Sequence, residues 1–361
     1  VKGLVERLRD GENVICAEGY MWELERRGFL RSGPFTPEVV IDHPQVVRHL
    51  HEEFVHAGSD VVEAFTYFGH RAKLRMIGRE DELETLNHTA LKIARDVADR
   101  TGTLMAGNLS NTTTYDPGNP ESIEEVKSIF KEQVEWAVKG RADYFIAETF
   151  NSCGEASLAL KAIRKYGKGL PAVITMAAYV PDRTTDDVPF PQAMRRLEEE
   201  GAAVVGLNCA RGPATMLPLL REIRQTCKSF DEDGYKEFQT AWQRALRTFR
   251  TTPKQKCFQC LTDPVTGAKA YPAELAPLQC TRAEIRQFAT EARELGVQYI
   301  GLCCGSASYY LREVAIAYGR NPPAAKFKPD LSMSIATGDI LLFERGDRAR
   351  KVRSFMLADI Q

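Results

Sequence analysis

RAEIRQFATEARELGVQYIGLCCG, residues Arg282 to Gly305, contains one complete helix-to-strand unit. Arg282 to Leu295 places apolar residues three and four apart, the period of an amphipathic helix. Gly296 follows where a helix C-cap is expected. Tyr299-Ile300-Gly301-Leu302-Cys303 is then a short apolar run of strand character, closed by Cys304 and Gly305.

The same unit recurs outward along the chain at a spacing of roughly 30 to 50 residues. Counting Tyr299 to Cys303, eight strands are predicted, the others being Val14 to Ala17, Val61 to Thr66, Leu104 to Gly107, Tyr144 to Ala147, Ala172 to Met176, Val204 to Asn208 and Lys256 to Cys260. Helices are expected between them, among them His43 to His56, Ile123 to Val138, Gln192 to Glu200 and Met216 to Cys227. Strict alternation implies parallel strands, and eight such units favour a (β/α)8 TIM barrel over an open doubly wound sheet. Residues 1–320 are assigned to the barrel. Residues 321–361, opening at Asn321-Pro322-Pro323, form a C-terminal segment expected to pack on the barrel or on a partner subunit. Ser229 to Lys256 reads as a charged excursion continuing the sixth helix.

Lys plus Arg is 48 against 49 Asp plus Glu, and no basic run exists, which argues against a nucleic-acid partner. The apolar residues are dispersed in short runs, so no membrane span is expected. Val1-Lys2-Gly3-Leu4-Val5-Glu6-Arg7 carries charge where a signal peptide needs an apolar core, and a cytoplasmic location is expected. The nine cysteines, an odd number, read as free thiols or metal ligands rather than a disulfide framework.

The C-terminal ends of barrel strands carry the chemistry. Cys209 ends the sixth predicted strand and Cys303-Cys304 the eighth, so folding brings three thiols to one face. Three protein thiolates with one open position suit a catalytic zinc (Zn2+) that would deprotonate a substrate thiol. A single buried Cys is more often a small apolar residue; the constellation outweighs that reading. A weaker metal or redox candidate is Cys257-Phe258-Gln259-Cys260, with Cys280 further on.

Gly33-Pro34-Phe35-Thr36-Pro37-Glu38, His56-Ala57-Gly58-Ser59-Asp60, Ala147-Glu148-Thr149-Phe150, Gly206-Leu207-Asn208-Cys209 and Gly301-Leu302-Cys303-Cys304-Gly305 together resemble the betaine-homocysteine S-methyltransferases, from about Val1 to Pro323. The resemblance implies zinc on Cys209, Cys303 and Cys304. It also implies transfer of a methyl group from a betaine or sulfonium donor to homocysteine, giving methionine. Glu148 matches an acid that helps to hold substrate, and Phe35, Tyr67, Phe68 and Thr149 fall where the donor would be received. Two departures stand out. The family's Asp-Gly-Gly after the first strand is replaced by Ala17-Glu18-Gly19, which moves the acid by one place and the side chain to the other face of an extended segment. Family Trp and Tyr are replaced at Phe35, Phe68 and Thr149. The expectation is therefore a zinc-dependent S-methyltransferase of altered donor preference. The alternative is a catalytically impaired relative that binds small molecules or serves a structural role. The sequence leaves a homo-oligomer open.

Overall fold

The computed structural model describes residues 2–227, 241–246, 249–271 and 274–330. Eight parallel strands, β1 (Val14–Ala17), β2 (Val61–Glu63), β3 (Leu104–Ser110), β4 (Tyr144–Phe150), β5 (Ala172–Met176), β6 (Val204–Asn208), β7 (Ala241–Leu246) and β8 (Tyr299–Leu302), follow one another around a closed barrel. Closure is made by β1 on β8, where Val14 pairs with Tyr299 and Ala17 with Leu302. The connecting segments carry helices such as Pro44–Ala57, Pro120–Lys139, Cys153–Tyr166 and Arg282–Glu294. The last of these opens with a capping box between Thr281 and Glu284, which supplies partners for N–H groups that a helix start leaves unsatisfied.

Side chains alternate along each strand between the helix layer and the barrel lumen. Val14, Cys16, Val61, Leu104, Ala106, Tyr144, Ile146, Val173, Val204 and Tyr299 fill the lower lumen as a single buried cluster with Leu4 and Leu8 of helix Leu4–Arg9. The hydroxyls of Tyr144 and Tyr299 lie 2.8 Å apart and satisfy each other inside this apolar plug. The intervening residues, such as Ile15, Ala17, Val62, Met105, Phe145 and Ile300, pack outward against the helices. With the lower lumen filled, the C-terminal ends of the strands are the open end of the barrel.

One expected strand is misplaced. Lys256 to Cys260 is not β7 but a loop with a 3-10 turn over Phe258–Cys260. β7 is Ala241–Leu246, paired with Val204 to Asn208 on one side and Tyr299 to Leu302 on the other, so the supposed continuation of the sixth helix contains the missing strand. That helix ends at Thr226. At the other end of the chain, Pro323–Phe327 forms a 3-10 turn, and Pro322 and Ala315 close over Gly58. Most of the expected C-terminal segment, residues 331–361, lies outside the described residues. No described helix is long and apolar enough to cross a membrane.

Candidate active site

Following the lumen alternation upward from the plug leads directly to the polar residues. Beyond Cys16 comes Glu18, beyond Val61 Glu63, beyond Ala106 Asn108, beyond Ile146 Glu148, beyond Gly206 Asn208, and beyond Gly301 Cys303. Glu18 therefore shares the lumen face with Val14 and Cys16, while Ala17 packs outward. The acid that the sequence shows displaced by one place is thus inside the barrel mouth. Gly301 beside it allows β8 to approach β1 closely: an ideal Cβ there would lie 2.2 Å from the Cys16 carbonyl oxygen, while its 3.7 Å to Glu18 Oε1 would be ordinary contact.

Cys209 is one residue out of step with Asn208 and reaches the site by a backbone reversal. Cys209 and Ala210 both have positive φ, 58° and 57°. This left-handed conformation is costly for residues with a Cβ and is kept where the surroundings enforce it. The Ala210 carbonyl is capped by the Phe258 N–H at 2.9 Å, which ties the reversal to the loop after β7. As a result, the ligand atoms of Cys209, Cys303 and Cys304 lie within 4.8 Å of one another. The thiols of Cys209 and Cys303 are buried, and that of Cys304 is partly open to the cavity. Hydrogen bonding within the cluster, with Cys209 first and Cys304 next, pushes the Cys303 thiol well above its ordinary range, and burial adds to this. Three thiolates so close are tolerable only around a cation, so the donor set fits a thiophilic metal ion.

Glu148 is held from both sides by amides. Asn108 Nδ2 donates to Glu148 Oε1 at 2.9 Å and also to Glu63, while Asn208 Nδ2 donates to Glu148 Oε2 at 2.9 Å. Asn208 also accepts from the Thr149 N–H at 3.0 Å, at the point where the β4–β5 register shifts and Thr149 takes φ 65°. Burial pushes Glu148 up to about 7. Glu18 and Glu63 are driven well above the carboxylate range by burial first and by the Glu148 charge next. Glu18 and Glu148 each place an oxygen within 4.8 Å of Cys303 Sγ, so acid and thiol centres share a border.

Above these groups opens a cavity of ≈ 700 Å³. Phe35, Tyr67, Phe68 and Thr149 all line it, together with Gly19 and Glu148. Phe35 and Phe68 are again non-glycine residues at positive φ, 51° and 56°. The structure thus gathers the three cysteines, Glu148 and the expected donor-side residues around one cavity, with Glu18 beneath its floor, while Cys257, Cys260 and Cys280 do not line it.

Residues 14–318 match the homocysteine S-methyltransferase family. The chain belongs to that family. It is 35% identical over 333 residues to mouse betaine–homocysteine S-methyltransferase 1, covering 90% of this chain and 78% of the relative. It is also 32% identical over 329 residues to mouse S-methylmethionine–homocysteine S-methyltransferase, covering 90% and 85%. The metallated form of the Escherichia coli homocysteine methyltransferase MmuM superposes with a TM-score of 0.64 at 16% identity, covering 86% of this chain and 99% of that one, a likeness of fold.

Several lining residues of this family member escape a reading by motif. Glu63 lies inside a predicted strand run and Asn108 one residue beyond another, Leu104 to Gly107, which the structure extends to Ser110; a polar residue in lumen register was the available signal. Phe258 and Gln259 also line the cavity, so the Cys257 to Cys260 motif frames its wall. Among the described residues Cys280 does not join that pair in a group of three or more metal-ligating side chains.

Proposed function

We propose that this family member is a zinc-dependent S-methyltransferase that moves a methyl group from a betaine or sulfonium donor to the thiol of homocysteine, giving methionine. The observation that carries the reading is the convergence of Cys209, Cys303 and Cys304 within 4.8 Å at the floor of an aromatic-lined cavity. Zinc held by these three thiolates would leave a fourth position for the substrate thiol and keep it deprotonated at neutral pH.

The remaining work falls to the protein's own side chains. Glu148, fixed by Asn108 and Asn208, and Glu18 beside it present acceptor oxygens to the ammonium group of the thiol substrate. Phe35, Tyr67 and Tyr179 offer π faces and edges to the positive centre of the donor. Transfer then forms a sulfur–carbon bond as the carbon–onium bond breaks, and the electron pair leaves on the donor's nitrogen or sulfur, which departs neutral. The substrate's thiol proton is lost to solvent beforehand. The reading as an impaired relative rested on displacement of the acid after β1, and the lumen position of Glu18 supports catalysis instead.

The test is methionine formation from homocysteine by zinc-loaded protein across betaine and sulfonium donors, beside Cys304→Ala. Turnover that disappears in the variant together with bound zinc is expected. Turnover retained without Cys304 would remove the thiol cluster from the mechanism.

A further inference from the structure

The cavity wall carries one cation whose charge nothing in the described structure balances. Lys73 lies on the short helix Arg71–Met76 that follows β2, with 8% of its surface exposed. Its neighbours on that helix are paired: Arg71 bridges Glu80 and Glu132, and Arg75 bridges Glu80 and Glu125. Lys73 differs from both. Among the described residues no carboxylate lies within 4.0 Å of its Nζ, and no hydrogen bond takes it. Its contact is with Phe68, whose ring centre lies 4.2 Å from Nζ. Adjacent His70 stays neutral, since burial first and Lys73 next hold it down at about 3.

A buried ammonium without an anion is costly, and a cation–π contact offsets only part of that cost. Lys73 is also the one cationic side chain among the described residues lining the cavity, whose acidic lining residues are Glu63 and Glu148. The lining thus combines thiols, two carboxyl groups and aromatic rings with a single positive group, which lies over Phe68. Because Lys73 already covers one face of Phe68, the onium centre of a donor is left to Phe35, Tyr67 and Tyr179.

Resting on the methyl-transfer reading, we propose that Lys73 is a specificity-determining residue that receives the carboxylate of a zwitterionic methyl donor. The anionic end of the donor neutralises the buried ammonium while its onium end lies against the neighbouring rings. A donor with an onium group and no carboxylate would bring a second cation toward Lys73 and is disfavoured.

The experiment compares 3-dimethylsulfoniopropionate with its carboxamide as donors to homocysteine, using zinc-loaded wild type, Lys73→Met and Lys73→Arg. In Lys73→Met the kcat/KM ratio of carboxylate to carboxamide is expected to fall about 10- to 100-fold, through KM, as for loss of one charge-assisted hydrogen bond. Lys73→Arg, which keeps the charge, is expected to retain most of that ratio. Calorimetric binding of 3,3-dimethylbutanoate, an inert anion with a neutral tertiary-butyl group in place of the onium, should weaken by a similar factor in Lys73→Met. Equal losses for both donors, an unchanged ratio, or no binding of the anion by the wild type would overturn the assignment. A rise confined to the KM of homocysteine would also overturn it, by placing Lys73 on the acceptor. Lys73-dependent anion binding without methyl transfer from either donor would support Lys73 and overturn the methyltransferase reading.

Discussion

Gly19 shows how closely the site depends on single atoms. It has φ 84° and starts the helix Tyr20–Arg26, and an ideal Cβ there would lie 2.4 Å from the carbonyl oxygen of Cys303. Gly19→Ala therefore imposes a left-handed Ala and pushes on the backbone of a cysteine of the proposed metal site. Zinc affinity should fall about 10- to 100-fold, as when a supporting group behind a ligand is lost, with helical content unchanged. Competition with a chromogenic chelator measures this, and an unaltered affinity would show that the Cys303 backbone yields freely. Asn208 is a second such point. Its side chain satisfies the Thr149 N–H and an oxygen of Glu148 together, inside a buried site. Asn208→Ala leaves both without that partner and should cost about 1–3 kcal/mol of stability while raising the KM for homocysteine. Calorimetric unfolding and initial rates check the two effects separately, and a change in Tm with an unchanged KM would confine Asn208 to a structural role. Both residues stand in or beside stretches quoted from the sequence, yet neither role is visible there, because the sequence does not show which backbone atom a missing Cβ faces.

At the scale of the element, the barrel was legible wherever a strand is apolar on both faces, as in Val14–Ala17, Ala172–Met176 and Val204–Asn208, whose expected bounds coincide with the observed ones. β7 failed that criterion. Ala-Trp-Gln-Arg-Ala-Leu, residues 241–246, has no β-branched residue and lies in a charged stretch, whereas Lys256 to Cys260 offers the apolar look of a strand without the pairing. Both sides of β7 are supplied by β6 and β8, so partners already in place specify it more than its own composition does. Helices show the converse, since their periodic faces are intrinsic. Pro44–Ala57 buries Val47, Leu50, His51 and Phe54 against the barrel. His51 Nδ1 lies 3.0 Å from the Tyr20 hydroxyl, and burial holds its pKa down at about 3, from an ordinary 6.5. Between those values the unfolded chain takes up a proton that the folded chain refuses. This contribution to stability is therefore full above pH 6.5 and is lost as pH falls toward 3. His51→Phe removes the proton uptake. The Tm of wild type minus that of the variant should decrease as pH is lowered from 7 to 5, and a difference independent of pH would mean that His51 is protonated in the fold.

The whole molecule separates scaffold from site. The lower lumen is closed by an apolar plug that includes Tyr144 and Tyr299, and the helices pack on the outer face, so the proposed metal lies at the open end, where it does not hold the core together. A metal site built on such a scaffold adds stability by mass action: at a free zinc concentration 100 times its Kd the gain is about 2.7 kcal/mol. Spread over the unfolding entropy of a chain of 361 residues, that corresponds to a rise in Tm of about 4 °C. Removing zinc with a chelator should therefore lower Tm by a few degrees and abolish methyl transfer, while the far-UV circular dichroism at 25 °C stays that of a folded barrel. Cys304→Ala should already have the lower Tm and should not respond to the chelator. The measurement distinguishes two uses of the same three thiols. If chelation instead melted the secondary structure cooperatively, the cysteines would be holding β6 to β8 across the β7 connection, and the barrel could no longer be regarded as a frame that folds first and receives its metal afterwards.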